Sequence, residues 1–206
     1  MTDESKALAL VKWIADKAIE GIPPLSGCED LAKEYLLDSS YVDNDDRVSS
    51  LINWETSKNF TSGFLTGLGG IITLPVTVPA ALGASWALQA RMCGAIACIY
   101  GHNIDEDRVR TLVLLSLLGY AAKEPLKHAG IKVGQKLTAK AIQRIPGKTL
   151  IEINKKVGFR LLTKAGEKGI INLSKAVPIV GGIVGGSIDA YYCRVVGRVA
   201  KELFKK

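Results

Sequence analysis

The stretch Asn59–Ala90, NFTSGFLTGLGGIITLPVTVPAALGASWALQA, contains no charged residue, and its reading decides the fold. Lys58 closes it on one side and Arg91 on the other. A bilayer crossing takes about 20 apolar residues, so length alone permits a span. The interior argues for something else. Four glycines come first (Gly63, Gly67, Gly69, Gly70), then Pro75 and Pro79, four residues apart. Each proline removes a backbone donor and crowds the preceding turn, so the stretch should break between Leu74 and Val78 into two arms. An arm of roughly a dozen residues is about 18 Å long as a helix, too short to cross alone. A helical hairpin buried in a protein core is the first expectation. A hairpin dipping into one leaflet is the second, and a true span is the third, since membrane helices tolerate Pro and Gly.

Working outward, the N-terminal side holds three expected helices. Ser5–Ile22 carries Leu8, Val11, Ala15, Ala18 and Ile19 at near-helical spacing and stops at Gly21 and Pro23–Pro24. Ser26–Leu37 opens like a capping box, with Glu29 three residues after Ser26. An acidic, turn-rich DSSYVDNDD then feeds a third helix with Leu51, Ile52 and Trp54. On the other side the apolar run continues to Gly101, a natural helix stop, with Arg91 as its lone charge. Asn103 or Asp105 is the expected cap of the next helix, and Thr111–Ala122 is a charge-free run of core length. The tail after Pro178 contains Gly181, Gly182, Gly185 and Gly186, two overlapping small-residue steps that suit close helix packing, with Gly63–Gly67 as the expected partner. Asp189 is the lone acid of its apolar portion. A charge in apolar surroundings is costly unless paired, so Arg91 and Asp189 are expected to meet as a core ion pair. No strand-like alternation stands out, and the expected fold class is all-α.

Charge divides the chain unevenly. Through Asp107 there are seven Lys/Arg against fifteen Asp/Glu, a net of −8; from Arg108 onward the net is +15, for +7 overall. Between 123 and 175 thirteen basic residues face three glutamates. Lys132, Lys136, Lys140 and Arg144 recur every fourth residue, and Lys156, Arg160, Lys164 and Lys168 repeat the pattern beyond Pro146–Gly147. Spacing of four gives a slowly drifting stripe on one helix face, beside an apolar face of Val133, Leu137, Ala141 and Ile145. A solvated face explains such a stripe. So does a surface for anionic lipid head groups, where each Lys or Arg adds about 1 kcal/mol. Nucleic acid fits poorly, because Phe159 is the one aromatic residue in the segment available for base stacking.

Signals for chemistry are weak. Gly147-Lys148-Thr149 ends like a phosphate-binding loop, but Ile142 stands where the leading glycine belongs. His102 and His128 lack partner spacing, no nucleophile elbow occurs, and no carboxylates are paired for acid–base work. Cys28, Cys93, Cys98 and Cys193 follow neither a zinc nor a disulfide-framework spacing, so free thiols are expected. No catalytic residue, cofactor or metal ligand is assigned. The polar start MTDESKALAL lacks a basic region followed by an apolar one, which argues for a cytoplasmic chain.

Three stretches taken together resemble the EcsC family of bacterial proteins: TSGFLTGLGGIITLPVTVPAALG, then IACIYGHNID, then VPIVGGIVGGSIDAYYCRVVGRVA. The match runs in order from Asn59 to Ala200, and the first fifty residues add nothing to it. The resemblance implies a helical, apolar protein of the cytoplasmic membrane face, from a family named for a gene beside a bacterial ABC exporter. It carries over no catalytic residues.

The expected organisation is an acidic helical segment over 1–58 and an EcsC-like core over 59–206 that includes the basic helices of 123–175. The expected function is non-enzymatic and peripheral at the inner face of the cell membrane, with the eight basic residues above contacting anionic lipid. Val76, Val78, Leu82 and Trp86 are the expected insertion surface if the hairpin dips. The alternatives are an adaptor for an acidic protein partner or ABC-transporter subunit and, more remotely, a lipid hydrolase.

Overall fold

In the computed structural model, the described residues are 2–59, 74–76, 78–128, 139–174 and 181–205, with side chains described except at 58–59, 128, 139, 164–174 and 181–189. Among them the fold is all-α, without a strand. In chain order the helices are α1 (Asp3–Glu20), α2 (Cys28–Leu37), α3 (Asn44–Asn59), α4 (Ala80–Ile99), α5 (Asp107–Ser116), a 3-10 turn (Gly119–Ala122), α6 (Lys123–His128), α7 (Ala139–Gln143), α8 (Gly147–Ser174) and α9 (Gly181–Phe204).

Helix α4 is the centre. It begins immediately after Pro79, and Leu74–Val76, Val78 and Pro79 are non-helical, so the chain breaks where the two prolines require it. The first arm, with Gly63 and Gly67, lies outside the described residues. The second arm carries on through Arg91, as the apolar run to Gly101 suggests. It runs 20 residues to Ile99 and ends where Gly101 takes a positive φ of 75°. By length and composition it could cross a membrane, yet 89% of its apolar window is buried inside the protein. α1, α2, α3, α5 and α9 all pack against it. A helix apolar on every side needs such a sheath.

This corrects the expected insertion surface. Val78 and Trp86 are buried in the core, and Val76 and Leu82 are half-buried against it. Trp86 faces protein because its helix is wrapped by five others.

The core gives Arg91 a partner that the sequence did not suggest. Arg91 Nη1 donates to Glu55 Oε2 of α3 at 3.2 Å, with side-chain exposures of 5% and 2%. Its Nε donates to the Ser26 carbonyl at 2.5 Å, and Nη2 to the Ser26 hydroxyl at 3.4 Å. The rule that a buried charge needs a partner holds, but the partner shown is Glu55, whereas the Asp189 side chain lies outside the described residues. The same contacts explain why Ser26 does not cap α2. Its oxygens serve Arg91, and Gly27 precedes the helix without a side-chain cap.

α1 buries Ala7, Leu10, Val11, Ile14 and Ala18 on one face and shares one hydrophobic cluster with Leu51, Met92, Leu112 and Val157. The acidic first helices are therefore part of the same core. α5 starts at Asp107 rather than at Asn103 or Asp105, and Asn103 Oδ1 instead accepts from the Asp105 N–H at 2.9 Å. The expected run to Ala122 is divided at Leu117–Leu118 into α5 and the 3-10 turn, with Gly119 at φ 57°.

α9 closes the molecule. The glycines 181, 182, 185 and 186 lie in its first turns, where side-chain surroundings are not described. The close approach that is visible occurs further along: a Cβ on Gly197 would stand 2.9 Å from Ile52 and 3.1 Å from Met92. The end of α9 is fastened by charge and by His102. Asp45 Oδ1 accepts from the Tyr100 hydroxyl at 2.6 Å, and its carboxylate pairs with Lys205. His102 Nε2 lies 2.9 Å from the Phe204 carbonyl. His102 is thus a buried anchor.

Candidate functional site: a basic groove beside helix α8

α8 is amphipathic in a way that fixes its orientation. Leu150, Ile153, Val157 and Leu161 recur at helical spacing and are buried against α1 and α5. A Cβ on Gly158 would sit 2.5 Å from the Ala7 carbonyl oxygen, so α1 and α8 cross at backbone contact. That seam turns Lys148, Glu152, Lys156, Phe159, Arg160 and Thr163 outward, all exposed. α7 and the turn after it do the same on a smaller scale: Ile142 and Ile145 are buried and Ala141 is half-buried, while Lys140 and Arg144 are exposed.

The sequence-expected basic residues therefore divide. Lys140, Arg144, Lys156 and Arg160 are described and exposed. Lys132 and Lys136 lie outside the described residues, as do the side chains of Lys164 and Lys168. Arg160 is not free. Its Nη2 donates to Glu124 at 3.2 Å and its Nη1 to the Ala121 carbonyl at 3.4 Å, which straps α8 to the 3-10 turn and α6. Lys155 pairs with Glu4 of α1 at 2.6 Å. Lys156 makes no ion pair among the described residues.

These helices enclose a groove of about 540 Å³. Its walls are apolar (Ala7, Leu118, Pro125, Phe159) and its rim carries Lys155, Lys156 and Arg160 with Glu4 and Glu124. Leu118 and Ala7 are almost fully buried and form the floor, whereas Phe159 is 59% exposed and stands at the mouth. A second hollow of about 450 Å³ lies on the other side of Phe159, bounded by Leu162 and by Pro75 and Val76 of the hairpin break. The basic face and the broken apolar stretch, separate signals in the sequence, thus meet at one aromatic ring.

Sequence reading missed Phe159, Leu118, Lys155, Glu4 and Glu124 as site residues. Phe159 was legible as the one aromatic on the basic stripe, three residues from Lys156. The two glutamates had no local signal, because Glu4 and Glu124 come from α1 and α6, remote in sequence from α8.

Elsewhere, no cluster of three or more His, Cys, Asp or Glu side chains placed to hold a metal ion occurs among the described residues. No disulfide joins the four cysteines; Cys28, Cys93 and Cys193 are buried and Cys98 is half-buried. The Cys98 thiol pushes the Cys28 thiol upward by hydrogen bonding, and burial adds to the shift. The Tyr192 hydroxyl, which donates to the Leu117 carbonyl at 2.6 Å behind the groove floor, is pushed up to about 12 by burial.

No curated protein and no solved structure matches the chain. The EcsC protein family model matches residues 14–206, which takes in the last seven residues of α1 and all that follows, a longer match than the three motifs alone suggested. With that match and the all-α architecture, the chain belongs to the EcsC protein family.

Proposed function

We propose that this chain is a non-enzymatic peripheral protein of the cytoplasmic membrane face, which meets anionic lipid through the exposed side of α7 and α8. The observation that carries the reading is Lys156 beside Phe159. A cation with no ion pair among the described residues and an exposed aromatic ring share one helix face, and Lys140, Arg144 and Lys148 are exposed as well. Basic side chains around an apolar ring suit the head-group boundary, where the ring enters the acyl edge and the ammonium groups meet phosphate. The burial of α4 supports contact from the surface in place of a span.

Flotation with vesicles tests it. Wild-type protein should float with vesicles containing phosphatidylglycerol and not with neutral phosphatidylcholine, and added salt should weaken the binding. A variant with Lys140, Arg144, Lys148 and Lys156 all changed to Glu should stay in the soluble fraction with an unchanged far-UV circular dichroism spectrum. Equal flotation with both vesicle types would defeat the reading. Failure to float at all, with retention on an acidic peptide matrix, would favour the adaptor for an acidic protein partner or transporter subunit.

A further inference from the structure

We propose that the groove between α1, α6 and α8 is a binding site for one single-chain anionic amphiphile, a long-chain fatty acid, with its carboxylate at Lys156 and its hydrocarbon chain along Phe159 toward Leu118 and Ala7. The proposal rests on the lipid-contact reading for the source of the ligand, since a membrane surface is where such molecules arise.

Charge decides the head group. Of the three cations at the rim, Lys155 is engaged by Glu4 at 2.6 Å and Arg160 by Glu124 at 3.2 Å. Lys156 alone lacks a protein anion among the described residues, so the site carries one uncompensated positive charge. A monoanion satisfies it, whereas a doubly charged phosphate would leave one charge unpaired next to Glu4 and Glu124. Shape decides the rest. The cavity of about 540 Å³ is within the range of small-molecule sites, roughly 300–1,000 Å³, and its lining is mainly carbon. Its floor is closed where Gly158 brings α8 against the Ala7 backbone. One chain has a wall to lie on there, and a second would have to leave the groove past the ring of Phe159. The two engaged ion pairs also hold α8 to α1 and to α6, so the groove is set before ligand arrives.

The test is calorimetric titration of the full chain with oleate, kept below its micellar concentration, beside oleyl alcohol as the uncharged control. The expected result is saturable binding of one oleate per chain. Oleyl alcohol should bind at least tenfold more weakly, as should oleate to Lys156→Glu, and Phe159→Ala should weaken oleate several-fold. Both substituted positions are exposed, so thermal unfolding should be unchanged. Absence of a saturable one-to-one site, or equal affinity in Lys156→Glu and wild type, overturns the proposal. Vesicle flotation of the same samples separates the two claims. One-to-one oleate binding without flotation keeps the groove and removes the membrane-surface reading; flotation without oleate binding does the reverse.

Discussion

Helices α4 and α8 both pack on α1, and they handle charge in opposite ways. α4 has one cation in 20 residues, buries it, and meets it with Glu55 and two oxygens of Ser26. α8 carries a line of cations and leaves Lys156 in solvent with no described counter-charge. The lesson is that hydropathy and charge describe a segment, whereas function depends on what the neighbours supply. The helix that reads as a membrane candidate is sheathed in protein, and the helix that reads as a basic stripe keeps its described cations outward.

The strongest way to break the comparison is to remove one member of the α4 pair. Arg91→Met removes the guanidinium that meets buried Glu55 and should lower stability by about 3–5 kcal/mol in urea unfolding. The double variant Arg91→Met with Glu55→Met should recover much of that loss, because both desolvated charges are then gone. A loss in the double variant equal to the sum of the losses in Arg91→Met and Glu55→Met alone would mean that the pair is not coupled.

Next in size is the α1–α8 crossing. Gly158→Ala drives a methyl group to 2.5 Å from the Ala7 carbonyl oxygen, and alanine's better helix propensity offsets only part of that. A net loss of about 1–3 kcal/mol is expected, together with weaker oleate binding as the helices part.

A smaller effect concerns the fastening of α9. Hydrogen bonds from Lys205 and then from Tyr100 hold the Asp45 carboxyl below its usual range. A carboxylate depressed on folding adds stability that is fully present above its ordinary value near ~3.9 and is lost as pH falls through the folded value. Asp45→Asn should therefore flatten the acid limb of the stability profile. At neutral pH it should cost no more than about 1 kcal/mol, since the site is partly open to solvent. An unchanged acid limb would show that other carboxylates govern it.

Least of all in stability, Lys156→Glu should shift unfolding by less than about 0.5 kcal/mol. Its effect should appear in lipid binding alone. A marked destabilisation would mean that Lys156 has a structural partner.

What could be read in advance follows from the range of each interaction. The break at Leu74–Pro79 was legible because proline acts on its own backbone and the turn before it. The apolar seam of α7 and the turn after it was legible in Ala141 and Ile145 because helical periodicity is local. The partner of Arg91 was not, since it is Glu55, 36 residues earlier, in a segment that reads as acidic surface. Ser26 failed as a cap for the same reason: its sequence neighbours fit the capping pattern, but a guanidinium 65 residues away takes its oxygens. The groove needed three helices at once. Only its α8 wall, with Lys156 and Arg160, left a pattern in the sequence.

The most direct test of the account is hydrogen exchange followed by mass spectrometry, with and without vesicles containing phosphatidylglycerol. The account predicts that the amides of 80–99 are among the slowest to exchange and are indifferent to the vesicles, while protection rises in peptides covering 140–163. New protection confined to 80–99, or exchange there that quickens as vesicles are added, would show the core helix leaving its sheath for lipid and would contradict the account.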